Sequence, residues 1–134
     1  MNLSFKVKKS SGHIFRFLSD PKLFVAVHPV ITRMQPNADG SYKVYETLRF
    51  GPIQHSFTYQ ATIRAMQAEN TVIIQATVIK LIRVKIIMRL KKMQVGTLVE
   101  EEMEFKNAFL FRPVLQRIFR EQHSLLFKNI EAVE

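Results

Sequence analysis

The stretch from Phe111 to Val133 constrains the fold more than any other part of the chain. Plotted at 100° per residue, it separates apolar and amide side chains from mostly charged ones, as an amphipathic helix does. Pro113 suits the first turn, where its missing N–H would have no partner. About twenty helical residues span about 30 Å, enough to cross a small domain. The predicted inner side comprises Phe111, Val114, Leu115, Ile118, Gln122, Leu125 and Asn129, with Phe119, Leu126 and Val133 at its margin. The predicted outer side comprises Arg112, Gln116, Arg117, Arg120, His123, Ser124, Lys128 and Glu131, and Phe127 on this side hints at a partner surface.

The preceding residues read as one strand, two short helices and six further strands. Leu3–Val7 alternates apolar and polar side chains, His13–Leu18 follows a possible cap at Ser10, and a second helix begins at Pro21 and ends before His28. The six later strands are predicted at Val30–Gln35, Ser41–Phe50, His55–Ala65, Thr71–Ile79, Val84–Lys92 and Thr97–Lys106. This order predicts a single α+β domain over residues 1–134, with a seven-stranded antiparallel sheet buried against the long C-terminal helix.

Composition excludes several kinds of protein. The 134 residues contain no Cys, so disulfides, thiolate metal sites and cysteine catalysis are unavailable. No signal peptide is apparent after Met1, and the apolar run around Thr71–Ile79 is far shorter than the roughly 18 residues of a membrane span. A soluble, cytoplasmic protein without a transmembrane segment is therefore the expectation.

The net charge of +9 requires an explanation. If two strands form a hairpin that turns near Gln94–Gly96, basic and acidic side chains face each other across it, which makes much of the charge structural. The remaining cations favour weak contact with anionic surfaces. The basic members are Lys80, Arg83, Lys85, Arg89, Lys91 and Lys92, and the acidic members are Glu100, Glu101, Glu102 and Glu104.

The element order and a short motif together resemble the START-like (SRPBCC) superfamily, which includes polyketide cyclase/dehydrase-like proteins. The motif is His13-Ile14-Phe15-Arg16-Phe17-Leu18-Ser19-Asp20-Pro21, a hydrophobic pair followed by Leu-Ser-Asp-Pro at a helix junction. The resemblance implies a helix-grip fold, in which a curved sheet wraps around the long helix and leaves an internal cavity. It does not imply a single reaction, because such folds host carriers and enzymes alike.

Polar side chains on faces that should be apolar identify a candidate ligand site. Glu46, His55, Gln122 and Asn129 interrupt such faces, and Glu101 joins them if Val99 and Met103 point inward. A buried polar group without a partner costs about 1–3 kcal/mol, so each is either paired or useful. The predicted ligand-binding residues are Glu46, Leu48, His55, Phe57, Tyr59, Glu101, Met103, Ile118, Phe119, Gln122 and Leu125.

Three functions remain open at this level. The first is the binding of a small apolar or amphipathic ligand, such as a lipid or an aromatic or polyketide-like molecule. The second is an aromatase/cyclase- or dehydratase-type enzyme that uses Glu46, His55 and Tyr59. The third is a basic module for an anionic surface or nucleic acid, although the absence of Trp makes nucleic-acid binding the weaker option. We expect no cofactor and no metal, because the four His residues are scattered over separate elements, and the oligomeric state stays open.

Overall fold

The computed structural model describes the backbone of residues 1–134 and the side chains of all of them except Phe50, so the predicted inward orientation of Phe50 lies outside the described residues. Seven strands and three α-helices follow one another in the predicted order. The strands are β1 (Asn2–Val7), β2 (Ile31–Pro36), β3 (Tyr42–Phe50), β4 (Ile53–Met66), β5 (Thr71–Val78), β6 (Ile82–Lys92) and β7 (Thr97–Lys106). The helices are α1 (Ser11–Ser19), α2 (Pro21–Val27) and α3 (Arg112–Ala132), and two short 3-10 helices span Gln67–Glu69 and Phe109–Phe111.

The strands form one antiparallel sheet in the order β1-β7-β6-β5-β4-β3-β2. Consecutive strands pair through hairpins from β2 to β7, while β1 pairs with β7, for example Asn2 opposite Glu102. The sheet is curved, and the long α3 lies in its grip. The predicted α+β helix-grip architecture is therefore confirmed.

Local capping explains where the two short helices begin and end. The side chain of Ser10 accepts a hydrogen bond from the His13 N–H at 3.2 Å, which caps α1. Asp20 accepts one from the Lys22 N–H at 2.9 Å and caps α2, whose first residue is Pro21. Because His28 precedes a proline, it adopts extended backbone and ends α2.

The β6–β7 hairpin confirms the predicted pairing of basic and acidic side chains. Lys85 lies opposite Glu104 and Arg89 opposite Glu100. The side chain of Arg89 lies 3.1 Å from Glu102, and a second ion pair of the same length joins Lys91 to Glu100. Part of the charge is therefore used on the outer face of the sheet, where each exposed pair stabilises the fold by about 1 kcal/mol or less.

The face of α3 that packs on the sheet is rotated from the predicted one. Leu126, Phe127 and Ile130 are fully or almost fully buried, and the Phe127 ring centroid lies 4.9 Å from that of Phe5. The expectation that Phe127 marks a partner surface is therefore wrong. His123, predicted on the outer side, is buried as well, whereas the predicted inner residues Phe111, Val114, Leu125 and Asn129 are exposed.

The rotation has an identifiable cause in the sequence. Phe111, Val114 and Leu125 are apolar but exposed, so they pulled the predicted inner face toward themselves. The exposed Asn129 still donates a hydrogen bond to the Val27 carbonyl at 2.8 Å, which ties α3 to the end of α2. Of the helices described, none has the combination of length and apolar character that crossing a bilayer requires.

Candidate functional site

A cavity of about 100 Å³ lies between the inner face of the sheet, α2 and α3. Alternation along the strands brings every second side chain of β3, β4, β5 and β6 to its wall. The strands contribute Ile31, Met34, Val44, Glu46, Leu48, Phe57, Tyr59, Ala61, Ile63, Ile74, Ala76, Val78, Val84 and Ile86. The end of α2 contributes Phe24 and His28, and α3 contributes Leu115, Ile118, Phe119, Gln122 and His123.

The cavity wall has two chemically different sides. Aliphatic side chains of β5 and β6, including Ile74, Val78 and Ile86, form the apolar side. Polar side chains come from β3, β4 and the two helices, and they are Glu46, Tyr59, His28, Gln122 and His123. Such a wall suits a molecule that is largely apolar and has a polar group at one position.

Glu46 is the carboxyl group of the polar side. It is 8% exposed, and Gln122 donates a long hydrogen bond of 3.5 Å from Nε2 to its Oε1. Burial raises the pKa of Glu46, an effect that hydrogen bonds from Tyr59 and Gln122 partly offset. Burial also raises the pKa of Tyr59 well above its usual value, and the Glu46 carboxyl beside it adds to the effect. The phenol therefore keeps its proton and can donate a hydrogen bond at neutral pH.

His28 is held as a neutral ring with a defined tautomer. Its Nδ1 accepts hydrogen bonds from the backbone N–H groups of Val30 at 3.2 Å and Ile31 at 3.1 Å. Because Nδ1 accepts, the hydrogen of the neutral ring is on Nε2. Burial lowers the pKa of His28 to about 3, with a smaller contribution from the charge of His123. His28 therefore offers an N–H donor to the cavity.

Glu101 and His123 form a buried dyad at the junction of β7 and α3. Nδ1 of His123 lies 2.6 Å from one carboxylate oxygen of Glu101 and 2.8 Å from the other. The side chains are 0% and 5% exposed, respectively, so water does not weaken the interaction. Because Nδ1 is bound to Glu101, Nε2 is the ring atom available to a ligand. The ring of Phe119 meets the imidazole edge-on and fixes its plane.

An open cleft of about 760 Å³ adjoins the cavity between α3 and the edge of the sheet at β2 and β3. The cleft and the cavity share Leu48, Ile118 and Gln122. Polar side chains such as Arg49 and Arg117 line the outer part of the cleft. Space therefore continues from the buried cavity to the surface along one side of α3.

The structure brings seven of the predicted ligand-binding residues to the cavity wall and places four elsewhere. The seven are Glu46, Leu48, Phe57, Tyr59, Ile118, Phe119 and Gln122. Leu125 is 49% exposed and lines the cleft, and Met103 is buried in the core. Glu101 reaches the cavity only through His123.

His55 does not join Glu46 and Tyr59. It shares a face of β4 with Phe57, and their ring centroids are 6.3 Å apart. It lies near the start of β4, is exposed and does not line the cavity. The strand alternation was therefore right about the face, but the cavity does not extend to that end of the strand.

Sequence reasoning missed the two histidines of the cavity. Phe119, His123, Leu126, Phe127 and Ile130 follow helical spacing, so an examination of residues 119–130 alone would have turned His123 inward. His28 had a weaker signal, because a residue before proline is recognisable as a helix end but not as a cavity residue. Within the described residues, no group of three or more side chains suited to metal binding comes together.

Comparison of the sequence with protein families gives one match. A model of the CoxG family, named after a component of carbon monoxide dehydrogenase, matches residues 4–100. The matched part includes β1 to β6 with α1 and α2, and therefore His28, Glu46 and Tyr59, but not Glu101 or α3. No curated protein matches the sequence.

Solved structures with low sequence identity share the fold. Ara h 8.0201 matches with a TM-score of 0.74 at 17% identity, over 98% of this chain and 93% of that chain. The di-domain ARO/CYC StfQ from the steffimycin biosynthetic pathway matches with 0.79 at 10% identity, over 98% of this chain and 49% of that chain. Norcoclaurine synthase from Thalictrum flavum, in complex with dopamine and hydroxybenzaldehyde, matches with 0.69 at 10% identity, over 100% and 87%. These matches confirm the resemblance to the START-like superfamily.

Proposed function

The chain belongs to the CoxG family of carbon monoxide dehydrogenase components, and from this premise we propose that it binds a small apolar or amphipathic molecule between its sheet and α3. The observation that carries the proposal is the two-sided cavity wall, aliphatic on β5 and β6 and polar around Glu46, Tyr59 and His28. Burial of apolar ligand surface supplies the affinity, at about 25 cal/mol per Å². The polar side fixes the orientation of the ligand.

The size of the cavity limits how the ligand enters. About 100 Å³ is small beside the roughly 300–1,000 Å³ of typical ligand pockets. A single ring or a short alkyl segment fits the cavity itself, and the rest of a longer ligand lies in the adjoining cleft. A bulkier ligand requires the first half of α3 to move away from the sheet. Leu48, Ile118 and Gln122, which border both spaces, are the side chains that such a ligand passes.

The polar side of the cavity defines the complementary group on the ligand. The N–H of His28 and the hydroxyl of Tyr59 are donors, because both groups are held in their neutral forms. A carbonyl or hydroxyl oxygen on the ligand accepts from them. One relative, norcoclaurine synthase, has been solved with dopamine and hydroxybenzaldehyde, which are small aromatic molecules of this kind.

Native mass spectrometry of the purified chain and titration with a fluorescent fatty acid, cis-parinaric acid, test the proposal. Ala76→Leu adds side-chain volume to the apolar wall and should weaken probe binding about tenfold or more. Gln75→Leu is the matched control, because Gln75 is exposed on the opposite face of the same strand. Absence of probe binding, or equal weakening by both variants, would contradict the proposal.

A second candidate function is acid–base catalysis on the bound molecule, and the Glu101–His123 dyad favours it. Nε2 of His123 can take a proton from a carbon next to a ligand carbonyl, while donors from Tyr59 and His28 hold the carbonyl oxygen. The same Nε2 then returns the proton to the ligand. Glu101 acts as a positioning residue that holds the imidazole and stabilises its protonated form.

Hydrogen–deuterium exchange at the carbon next to the carbonyl of α-tetralone, followed by NMR in D2O, tests this second function. The wild-type chain should catalyse the exchange, and His123→Gln should abolish it. His55→Asn is the control, because His55 is exposed outside the cavity and should not matter. Exchange that is no faster with the wild-type chain than with His123→Gln would exclude the dyad as a catalyst.

A further inference from the structure

Exposed apolar side chains are concentrated at one end of the molecule. Among the described residues, ten large hydrophobic side chains are exposed, and seven of them lie in three connections of the chain. Phe109 and Leu110 are the most exposed of all, at 85% and 92%. The seven residues are Ile53, Ile79, Leu81, Phe109, Leu110, Phe111 and Val114, and we call the surface that they form the docking face.

The antiparallel sheet places these three connections together. The connections are the β3–β4 turn, the β5–β6 turn and the segment between β7 and α3. In an antiparallel sheet the ends of β3, β5 and β7 lie at the same edge. The strand register agrees, because Arg83, which follows the β5–β6 turn, lies opposite Lys106 at the end of β7.

The backbone at two of these apolar positions is strained. Ile79 and Lys80 both have φ of 56°, and Phe109 has φ of 41°. Left-handed backbone is unfavourable for residues with a Cβ, and especially for a β-branched residue such as Ile79. Ile79 is also 72% exposed, so the β5–β6 turn combines a strained backbone with an apolar side chain in water. Features that break local rules in this way are typical of functional surfaces.

The charge of the docking face has a single sign. The segments 49–54, 78–83 and 105–117 contain six Lys and Arg residues and no Asp or Glu. Lys80 stands directly between the exposed Ile79 and Leu81. The six cations are Arg49, Lys80, Arg83, Lys106, Arg112 and Arg117.

We infer that the docking face binds the surface of an anionic lipid bilayer. Apolar side chains on three loop tips can enter the boundary between headgroups and acyl chains, while the cations beside them meet lipid phosphates. A protein partner fits less well, because the centres of protein interfaces are depleted in Lys, whereas Lys80 lies among the apolar tips. This explains the basic charge that the β6–β7 hairpin leaves unpaired, and it does not depend on what the cavity binds.

The docking face is continuous with the cavity wall. Val78 lines the cavity and is followed by Ile79, and Leu115 lines it next to Val114. A chain bound through this face would therefore hold the near end of its cavity against the bilayer. An apolar ligand could then pass between the bilayer and the cavity with little exposure to water.

Co-sedimentation of the full chain with vesicles tests the inference. Vesicles of phosphatidylcholine with about 30 mol% phosphatidylglycerol should bind the chain, and phosphatidylcholine alone should bind it more weakly. Binding to the anionic vesicles should fall between about 50 mM and about 500 mM salt, because salt screens exposed charges. Equal binding to both vesicles, or no binding to the anionic ones at low salt, would overturn the inference.

Two pairs of variants test the two parts of the face. Phe109→Ser with Leu110→Ser should weaken vesicle binding about tenfold or more, whereas Val95→Ser, at the exposed β6–β7 turn of the opposite end, should not weaken it. Lys80→Gln with Lys106→Gln should weaken it about tenfold. Lys6→Gln with Lys92→Gln removes the same charge from other exposed positions and should have a smaller effect.

The matched controls decide how these results are read. Circular dichroism should show all four variants folded, because every substituted side chain is exposed. If Val95→Ser weakens binding as much as the Phe109 and Leu110 changes, the contact is not located at the docking face. If the two lysine pairs have equal effects, net charge alone accounts for binding, and the assignment of the face is wrong.

Discussion

The two halves of α3 differ in what they do for the fold. In the described residues of the first half, 112–121, every side chain is exposed or half-buried. In the second half, Gln122, His123, Leu126, Phe127 and Ile130 are buried. The second half is therefore part of the core, and the first half is a cover over the cavity and the cleft.

The difference shows how one helix can serve both stability and binding. Contacts of Leu126 and Ile130 fix the helix on the sheet, and the hydrogen bond from Asn129 to Val27 fixes it to α2. With its far end held, the first half can move by small rotations without unfolding the domain. Local opening of this kind is expected where few apolar contacts are buried.

The largest expected effect is at the dyad where the second half begins. Glu101→Ala leaves His123 buried without its partner and should lower the free energy of unfolding by about 3–5 kcal/mol. Glu102→Ala is the matched control, because the neighbouring Glu102 makes only an exposed ion pair with Arg89 and should cost less than about 1 kcal/mol. Chemical denaturation measures both values, and similar losses would show that the dyad is not part of the anchor.

A pair of truncations compares the two halves directly. Leu126→Ala removes a fully buried side chain and should lower the free energy of unfolding by about 2–5 kcal/mol. Ile118→Ala, in the covering half, removes a half-buried side chain and should cost less than about 1.5 kcal/mol while it weakens probe binding. Equal losses of stability would abolish the distinction between anchor and cover.

The pH dependence of stability tests the neutral state of His28. Because its pKa is lowered from 6.5 to about 3, the unfolded chain binds more protons than the folded chain between those values. The stability is therefore complete above pH 6.5 and falls as the pH is lowered through this window, by up to about 1.4 kcal/mol per pH unit. His28→Asn retains a side-chain acceptor for the Val30 and Ile31 amides and should flatten the slope, measured by denaturation at several pH values.

An exposed histidine supplies the control for the pH experiment. His55→Asn removes a histidine that lies outside the cavity, so the slope between pH 6.5 and about 4 should remain that of the wild-type chain. A slope that flattens equally in both variants would mean that His28 is not the group responsible.

The fold could be predicted from the sequence because each element has a strong local signal. The alternation in β3 and β4, the caps at Ser10 and Asp20, and the charge pattern of the β6–β7 hairpin all agree with one another. The rotation of α3 could not be predicted as well. Its apolar residues serve two surfaces, the core and the exposed end, and periodicity does not distinguish between them.

The candidate site was predictable only where it depends on strand alternation. Glu46, Phe57 and Tyr59 reach the cavity because inward positions repeat every second residue. The dyad was not found, because it joins Glu101 to a residue 22 positions later, through a helix rotation that the sequence did not define. His28 depends on two backbone hydrogen bonds that no sequence motif announces.

Hydrogen exchange of α3, measured by mass spectrometry with and without cis-parinaric acid, tests the central claim most directly. In the free chain, backbone amides of residues 112–121 should exchange faster than those of residues 122–132. The probe should slow exchange mainly in the first half, because that half covers the ligand. Uniform exchange along the helix in the free chain, or a probe that binds without slowing the first half, would contradict the account.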